Sequence, residues 1–174
     1  MREPIQTERL TLRPFTEEDA EALFAVFREP EVGRWVGGAH RTVDESRSLI
    51  ARNLEHEREQ GFAMWAVDLG GELIGEAGVQ RLEKGGSDAP VEIGWVIARP
   101  HWGNGYASEA ARRWLEIGFE QHGFDEILAT VLPENFVSHR VARKIGMRRA
   151  GRRFVHGAEH DLYVAVNPGR SAAA

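Results

Sequence analysis

The order of patterned segments predicts an α+β (α/β) fold with a mostly antiparallel central sheet, and three observations carry that reading. Two helical periods come early in the chain. A run of alternating residues punctuated by glycine turns fills the middle, and a glycine-rich turn then opens a strand, helix, strand unit. With 174 residues, 42% of them apolar and 28% charged, the chain has the length and composition of one domain, expected over 1–167, with 168–174 as a frayed tail.

The elements follow in order. RLTLRPF (9–15) alternates Leu10 and Leu12 with Arg9, Thr11 and Arg13 and stops at Pro14, which predicts a strand. Thr16 is placed to cap a helix carrying Ala20, Leu23, Phe24 and Phe27, with Pro30 just beyond its end. A loop through Gly33, Trp35 and Gly37 leads to Thr42-Val43-Asp44-Glu45, a capping box for a second helix with Leu49, Ile50 and Leu54, closed by Gly61. From Phe62 the period is two. FAMWAVDL and ELIGEAGVQRL, joined by Gly70-Gly71, predict a hairpin, and Lys84-Gly85-Gly86-Ser87 leads to VEIGWVI. RPHWGNGYASEA then starts a helix with Ala107, Ala111, Trp114 and Leu115 on one face, and EILATVL (126–132) is a strand. NFVSHRVARKIG gives a last helix, capped by Asn135 and with Val137, Val141 and Ile145 inward. RRFVHGAEHDLYVAV closes the chain as a hairpin about Gly157.

Composition excludes several classes. The chain has no cysteine, so a disulfide framework, a thiolate nucleophile and Cys-ligated zinc are all ruled out. A net charge of −5 argues against a general nucleic-acid binder, and Arg148, Arg149, Arg152 and Arg153 read as solvated strand residues. No window approaches the ~20 apolar residues of a membrane span and the N-terminus lacks an apolar signal core, so a cytoplasmic protein is expected.

The chemistry concentrates in the turn at 99–110. A helix start exposes unpaired N–H groups and the positive end of the helix dipole, and glycines let an anion come close, so a phosphate is the natural guest. No lysine follows in the spacing of a nucleoside-triphosphate loop. Gly103-Asn104-Gly105 begins a dinucleotide fingerprint, but its third position is Ser108 and an antiparallel meander precedes it. A tight turn without ligand stays open on residue types alone.

The segments TERLTLRPFTEEDAEALF, EIGWVIARPHWGNGYASEA and VLPENFVSHRVARKIGM together resemble the GNAT N-acetyltransferases. The likeness is greatest to the ribosomal-protein (RimJ/RimL-like) branch and covers about residues 5–166. The resemblance implies a sheet of about seven strands flanked by about four helices, with a splayed parallel strand pair that holds acetyl-CoA as cosubstrate and no metal. It places the pantetheine against the backbone of Trp95, Val96 and Ile97, and a bulge at Gly94 would help open the cleft. It places the pyrophosphate on the loop Trp102, Gly103, Asn104, Gly105, Tyr106, Ala107 and on Ser108, with Trp102 standing where the family has Gln or Arg.

The same resemblance implies Glu92 as the base, acting directly or through water; His160 and Asp161, in HDLY on the closing hairpin, are the alternates. It implies Ser138 as hydrogen-bond donor to the leaving sulfur, because the position of the family's tyrosine is Ala142. Asn135 is assigned to the pantetheine arm or to its helix cap, and Lys144 to the CoA phosphates. The expected partners are acetyl-CoA and an amine acceptor, either a small molecule or a protein N-terminus, with a homodimer by analogy. The alternative is a CoA-binding sensor that has lost catalysis. Attack on a thioester needs a neutral amine, and reference pKa values leave roughly one lysine in 2,500 but nearly one α-amine in ten neutral at pH 7. An acceptor pocket is expected to draw on 33–41, the second helix and the closing hairpin, with Trp35 and Phe62 as its lining or as core residues.

Overall fold

The structure, a computed structural model, describes residues 3–37, 42–82 and 88–169. The turn at Lys84-Gly85-Gly86-Ser87, the end of the 33–41 loop and the tail beyond Gly169 lie outside the described residues.

Strands β1 (Ile5–Gln6), β2 (Thr11–Arg13), β3 (Met64–Leu69), β4 (Glu72–Arg81), β5 (Val91–Ile97), β6 (Glu126–Val131), β7 (Arg148–Val155) and β8 (Ala158–Val166) form one sheet in the order β1-β2-β3-β4-β5-β6-β8-β7. Helices α1 (Ala20–Phe27), α2 (Pro30–Gly33), α3 (Val43–Gln60), α4 (Tyr106–Glu120) and α5 (Phe136–Lys144) complete the fold. The mixed, mostly antiparallel architecture is the expected one, with two short additions. The two-residue β1 pairs Ile5 with Leu12 at the sheet edge. Pro30, expected to lie past a helix, instead begins α2, where its missing N–H and fixed φ suit the first helical position.

Local signals explain most element ends. Thr42 and Glu45 exchange hydrogen bonds as a capping box for α3, and Gly61 closes that helix at φ 80°. Gly70 and Gly71, at φ 61° and 91°, make the two-residue turn between β3 and β4.

The core is layered on both faces of the sheet. On one, Trp65, Val67, Ile74, Val79, Ile93 and Ile97 pack with Ala111, Trp114 and Ile117 of α4 and with Ala142 and Ile145 of α5. Trp65 and Trp114 meet edge to face with centroids 5.2 Å apart. On the other face Ala66 packs with Leu23, Phe27, Val32 and Ile50 from α1, α2 and α3. In α5 the inward residues are His139, Val141 and Ala142. Val137, expected inward, is 48% exposed, because it sits in the first turn where the helix overhangs the cleft.

The feature that positions the site is the meeting of β5 and β6. They are the parallel pair of the sheet, and they register at one position, Glu92 with Leu128. Beyond Glu92 they part. Gly94 carries no bulge: β4 and β5 pair without a register shift from Arg81–Val91 to Gly75–Ile97. The opening therefore comes from where β5–β6 pairing ends.

Candidate active site

The parted strands open a cavity of about 1150 Å³ that runs from the α4 N-terminus past α5 to α1–α3. One half of it begins at the glycine turn. Gly103 and Gly105 sit at φ 82° and 85°, in the left-handed region that glycine enters without penalty, and Gly105 is the residue from which α4 starts. The first intrahelical bond, Glu109 N–H to Gly105 O at 3.0 Å, leaves the preceding amides, through Ser108, at the open helix end. Asn104 braces the turn by donating from Nδ2 to the carbonyls of His101 (3.1 Å) and Trp102 (3.3 Å).

Two cations flank these amides. A β-carbon at Gly105 would stand 3.6 Å from Arg9 Nη2 and 3.6 Å from Lys144 Nζ, so a bare backbone lies between two positive groups. Lys144 is an expected residue and Arg9 is not. Arg9 is aimed by Glu109 (2.6 Å), by the Asn104 carbonyl (3.0 Å) and by the Tyr106 ring (4.6 Å). Bare amides, a dipole end and two cations fit a pyrophosphate.

Trp102 acquires a role from the structure. Its indole N–H donates to the Ile97 carbonyl at 2.6 Å, and Arg99 lies over its ring at 4.8 Å, which ties the loop to the end of β5. Ala98 N–H bonds Ile74 O on β4, and backbone groups alternate sides along a strand. By that parity Trp95 and Ile97 direct their amides and carbonyls to the cleft, whereas Val96 directs its own to β4. The expected backbone role of Val96 is corrected on this ground, and its side chain lines the cavity instead. Trp102→Phe keeps the ring and removes the tether. The expected result is three- to tenfold weaker acetyl-CoA binding, about 1 kcal/mol, with Tm nearly unchanged, checked by titration calorimetry.

On α5, Asn135 Oδ1 accepts from Ser138 N–H at 3.1 Å, the N-cap arrangement, and Asn135 lines the cavity. Ser138 is half-buried and lines the cavity, and Ala142, at the family's tyrosine position, is fully buried in the core. Glu92 is 5% exposed. One carboxylate oxygen accepts from Thr130 Oγ1 and the other lies 3.2 Å from His156 Nε2, at the tip of the β7–β8 hairpin. His156 is a site residue that the sequence did not single out.

The alternates separate. His160 lines the cavity, with Nδ1 3.1 Å from the Ala158 carbonyl. Asp161 is not among the residues that line it: Arg149 and Arg152 bond Oδ1 on the other side of the strand. Burial pushes the Asp161 carboxyl up, but the hydrogen bonds and charges of Arg149 and Arg152 outweigh it and hold the group below its ordinary value, which makes it a poor base. Trp35 lines the cavity, whereas Phe62 is a core residue packed edge-on against His56 and Phe124.

A glycine-opened helix end, set beside parallel strands that part, with a buried carboxylate on one of them, is a cleft built for a phosphate-bearing ligand with a base within it. Residues 9–148 match the family model of the acetyltransferase (GNAT) domain. YkkB of Bacillus subtilis is 36% identical over 81% of this chain and 83% of its own. YoaA of the same organism, an uncharacterized N-acetyltransferase, is 33% identical over 94% and 97%. An acetyltransferase (GNAT family) from Bacillus anthracis superposes with a TM-score of 0.79 at 30% identity, over 95% of this chain and 99% of that one. RimJ of Mycobacterium smegmatis, solved in complex with CoA-disulfide, shares the fold, with a TM-score of 0.78 at 24% identity over 94% and 86% of the two chains. The chain belongs to the GNAT acetyltransferase family and is an acetyl-CoA-dependent acetyltransferase.

Proposed function

We propose that the protein transfers the acetyl group of acetyl-CoA to a primary amine by direct attack within a ternary complex. The observation that carries this reading is the turn at Gly103–Gly105, whose exposed amides stand between Arg9 and Lys144 at the mouth of the β5–β6 cleft. The amides of 103–108 with these two cations bind the pyrophosphate, the backbone of Trp95 and Ile97 with Asn135 aligns the pantetheine, and Val137 covers it. When bound, acetyl-CoA supplies a thioester carbonyl activated toward nitrogen attack.

Ser138 donates a hydrogen bond to the sulfur as the C–S bond breaks. Glu92, fixed by Thr130 and His156, takes the proton that nitrogen sheds as the C–N bond forms, and His156 connects that carboxylate to solvent. CoA bound to the RimJ neighbour supports the cofactor assignment.

At a hundredfold excess over Kd, acetyl-CoA is expected to stabilise the protein by about 2.7 kcal/mol, a rise of roughly 5 to 10 °C in Tm. Free CoA should then appear when an amine panel of peptides, polyamines and aminoglycosides is added. Absence of any thermal shift with millimolar acetyl-CoA would sink the assignment. Ser138→Ala should lower kcat about tenfold while Tm and acetyl-CoA affinity stay put; unchanged kcat would remove the serine from the mechanism.

A further inference from the structure

The far half of the cavity has a buried carboxylate that the mechanism above does not use. Glu76 lies on β4, opposite Val96, and its side chain shares one sheet face with Gly78 and Gln80 of β4 and with Glu92, Gly94 and Val96 of β5. The Gly78–Gly94 pair between Glu76 and the Gln80–Glu92 pair adds no side chain beyond hydrogen, and Met64 lies across that gap. Helix α3 roofs the same space with Leu49, Arg52 and Asn53, alongside Phe27, Val32 and Trp35.

Glu76 is 6% exposed, yet among the described residues its Oε2 has no hydrogen-bond partner. Asn53, also 6% exposed, likewise leaves Nδ2 without one. A buried carboxylate oxygen with nothing to accept from is costly in a resting protein unless a donor arrives with the substrate. Glu92 differs, because Thr130 and His156 already occupy both of its oxygens.

Proton counting asks for a second acceptor. An amine arrives as RNH3+ and leaves as an amide, so nitrogen loses two protons. The first must go before attack, to free the lone pair. The second goes to Glu92 as the C–N bond forms and passes through His156 to solvent, from which the released thiolate takes its proton. Glu92 serves the second, and nothing assigned above serves the first.

We propose that Glu76 receives the incoming ammonium group at Oε2 and takes its first proton, so that a neutral amine meets the thioester. This inference rests on the acetyl-transfer reading. The step balances as RNH3+ with the Glu76 carboxylate giving RNH2 and the carboxylic acid; the acid returns its proton to solvent after the amide departs. Asn53 Nδ2 holds an oxygen of the same acceptor where it has one. Besides Glu76, the charged and titratable groups that line the cavity are Arg34, Arg52, Glu92, His101, Tyr106, Arg140, Lys144, His156 and His160, with Tyr106, Arg140 and Lys144 at the coenzyme end.

The test uses Glu76→Gln, which keeps size and burial and removes the base. With the best amine of the panel, kcat/KM at pH 7 should fall about 10²- to 10³-fold with acetyl-CoA Kd unchanged. The deficit should shrink as pH rises toward the pKa of the amine, because solvent then supplies the neutral form. A merely structural role would leave the deficit constant with pH. In parallel, the carbon-13 carboxyl resonance of Glu76, assigned by its loss in Glu76→Gln, is followed in wild-type protein. Ethylamine, spermidine and a free-amine tetrapeptide are added in turn at millimolar concentration. At least one should shift that resonance and lower its titration midpoint. A kcat/KM within threefold of wild type, a pH-independent deficit, or no shift with any probe would each overturn the assignment. Failure of acetyl-CoA to bind wild-type protein would instead count against acetyl transfer, and the amine-induced shift still decides whether Glu76 takes an ammonium.

Discussion

Gly75→Ala is expected to destabilise the protein by about 3 to 5 kcal/mol, measured by denaturant unfolding of variant and wild type side by side. A β-carbon there would stand 3.0 Å from both Val96 C and Ile97 Cα, with the Val96 carbonyl oxygen closer still. All three are backbone atoms of β5, so no rotamer change relieves the contact. Moving β5 away would break its pairing with β4 and carry off the Ile97 carbonyl that anchors Trp102. Acetyl-CoA binding should therefore fail along with stability. Gly103→Ala is the control: its β-carbon would enter open space, and only the φ of 82° opposes it, so the cost should stay near 1 kcal/mol. A loss below about 1 kcal/mol in Gly75→Ala would mean that β4 and β5 are not drawn as tightly together as the structure shows.

What the sequence revealed were features written in adjacent residues. The Thr42–Glu45 box, the Gly70-Gly71 turn, the Asn135 cap and the glycines before α4 are each decided within a few positions, and the structure has all four. What it hid depends on residues far apart in the chain. Arg9 reaches the Asn104 carbonyl across a separation of 95 residues, and His156 reaches Glu92 across 64. Gly94 suggested a bulge, but a strand parts from its neighbour where pairing ends, and that is a property of two strands rather than of one glycine. The spacing of Val137, Val141 and Ile145 marks one helix stripe without saying that its first turn overhangs a cleft. Nothing in ELIGEAGVQRL marks Glu76 apart from an ordinary solvent-facing strand residue. It becomes buried because α1 packs on β4 and residues of α3, Arg52 among them, close the cavity above it.

That burial makes Glu76→Gln a stabilising change, and the sign follows from linkage. Desolvation pushes the Glu76 carboxyl from 4.5 up to about 7, with the charge of Arg52 pulling weakly the other way. A carboxyl whose folded value is raised favours folding while it is protonated and opposes it once it must ionise. Below pH 4.5 both states hold the proton and burial of the charge costs nothing. Between pH 4.5 and about 7 the unfolded chain ionises first and stability declines, and above 7 the loss is complete at about 3 kcal/mol. Gln carries no charge to desolvate. The variant should therefore match wild type near pH 4 and exceed it by about 3 kcal/mol at pH 8 in denaturant unfolding. Equal stability at both pH values would show that Glu76 is not desolvated and would remove the burial on which its role depends. A glutamate that weakens the fold at working pH, and whose loss slows transfer, is retained for chemistry; one substitution moving stability up and turnover down separates that from a structural role.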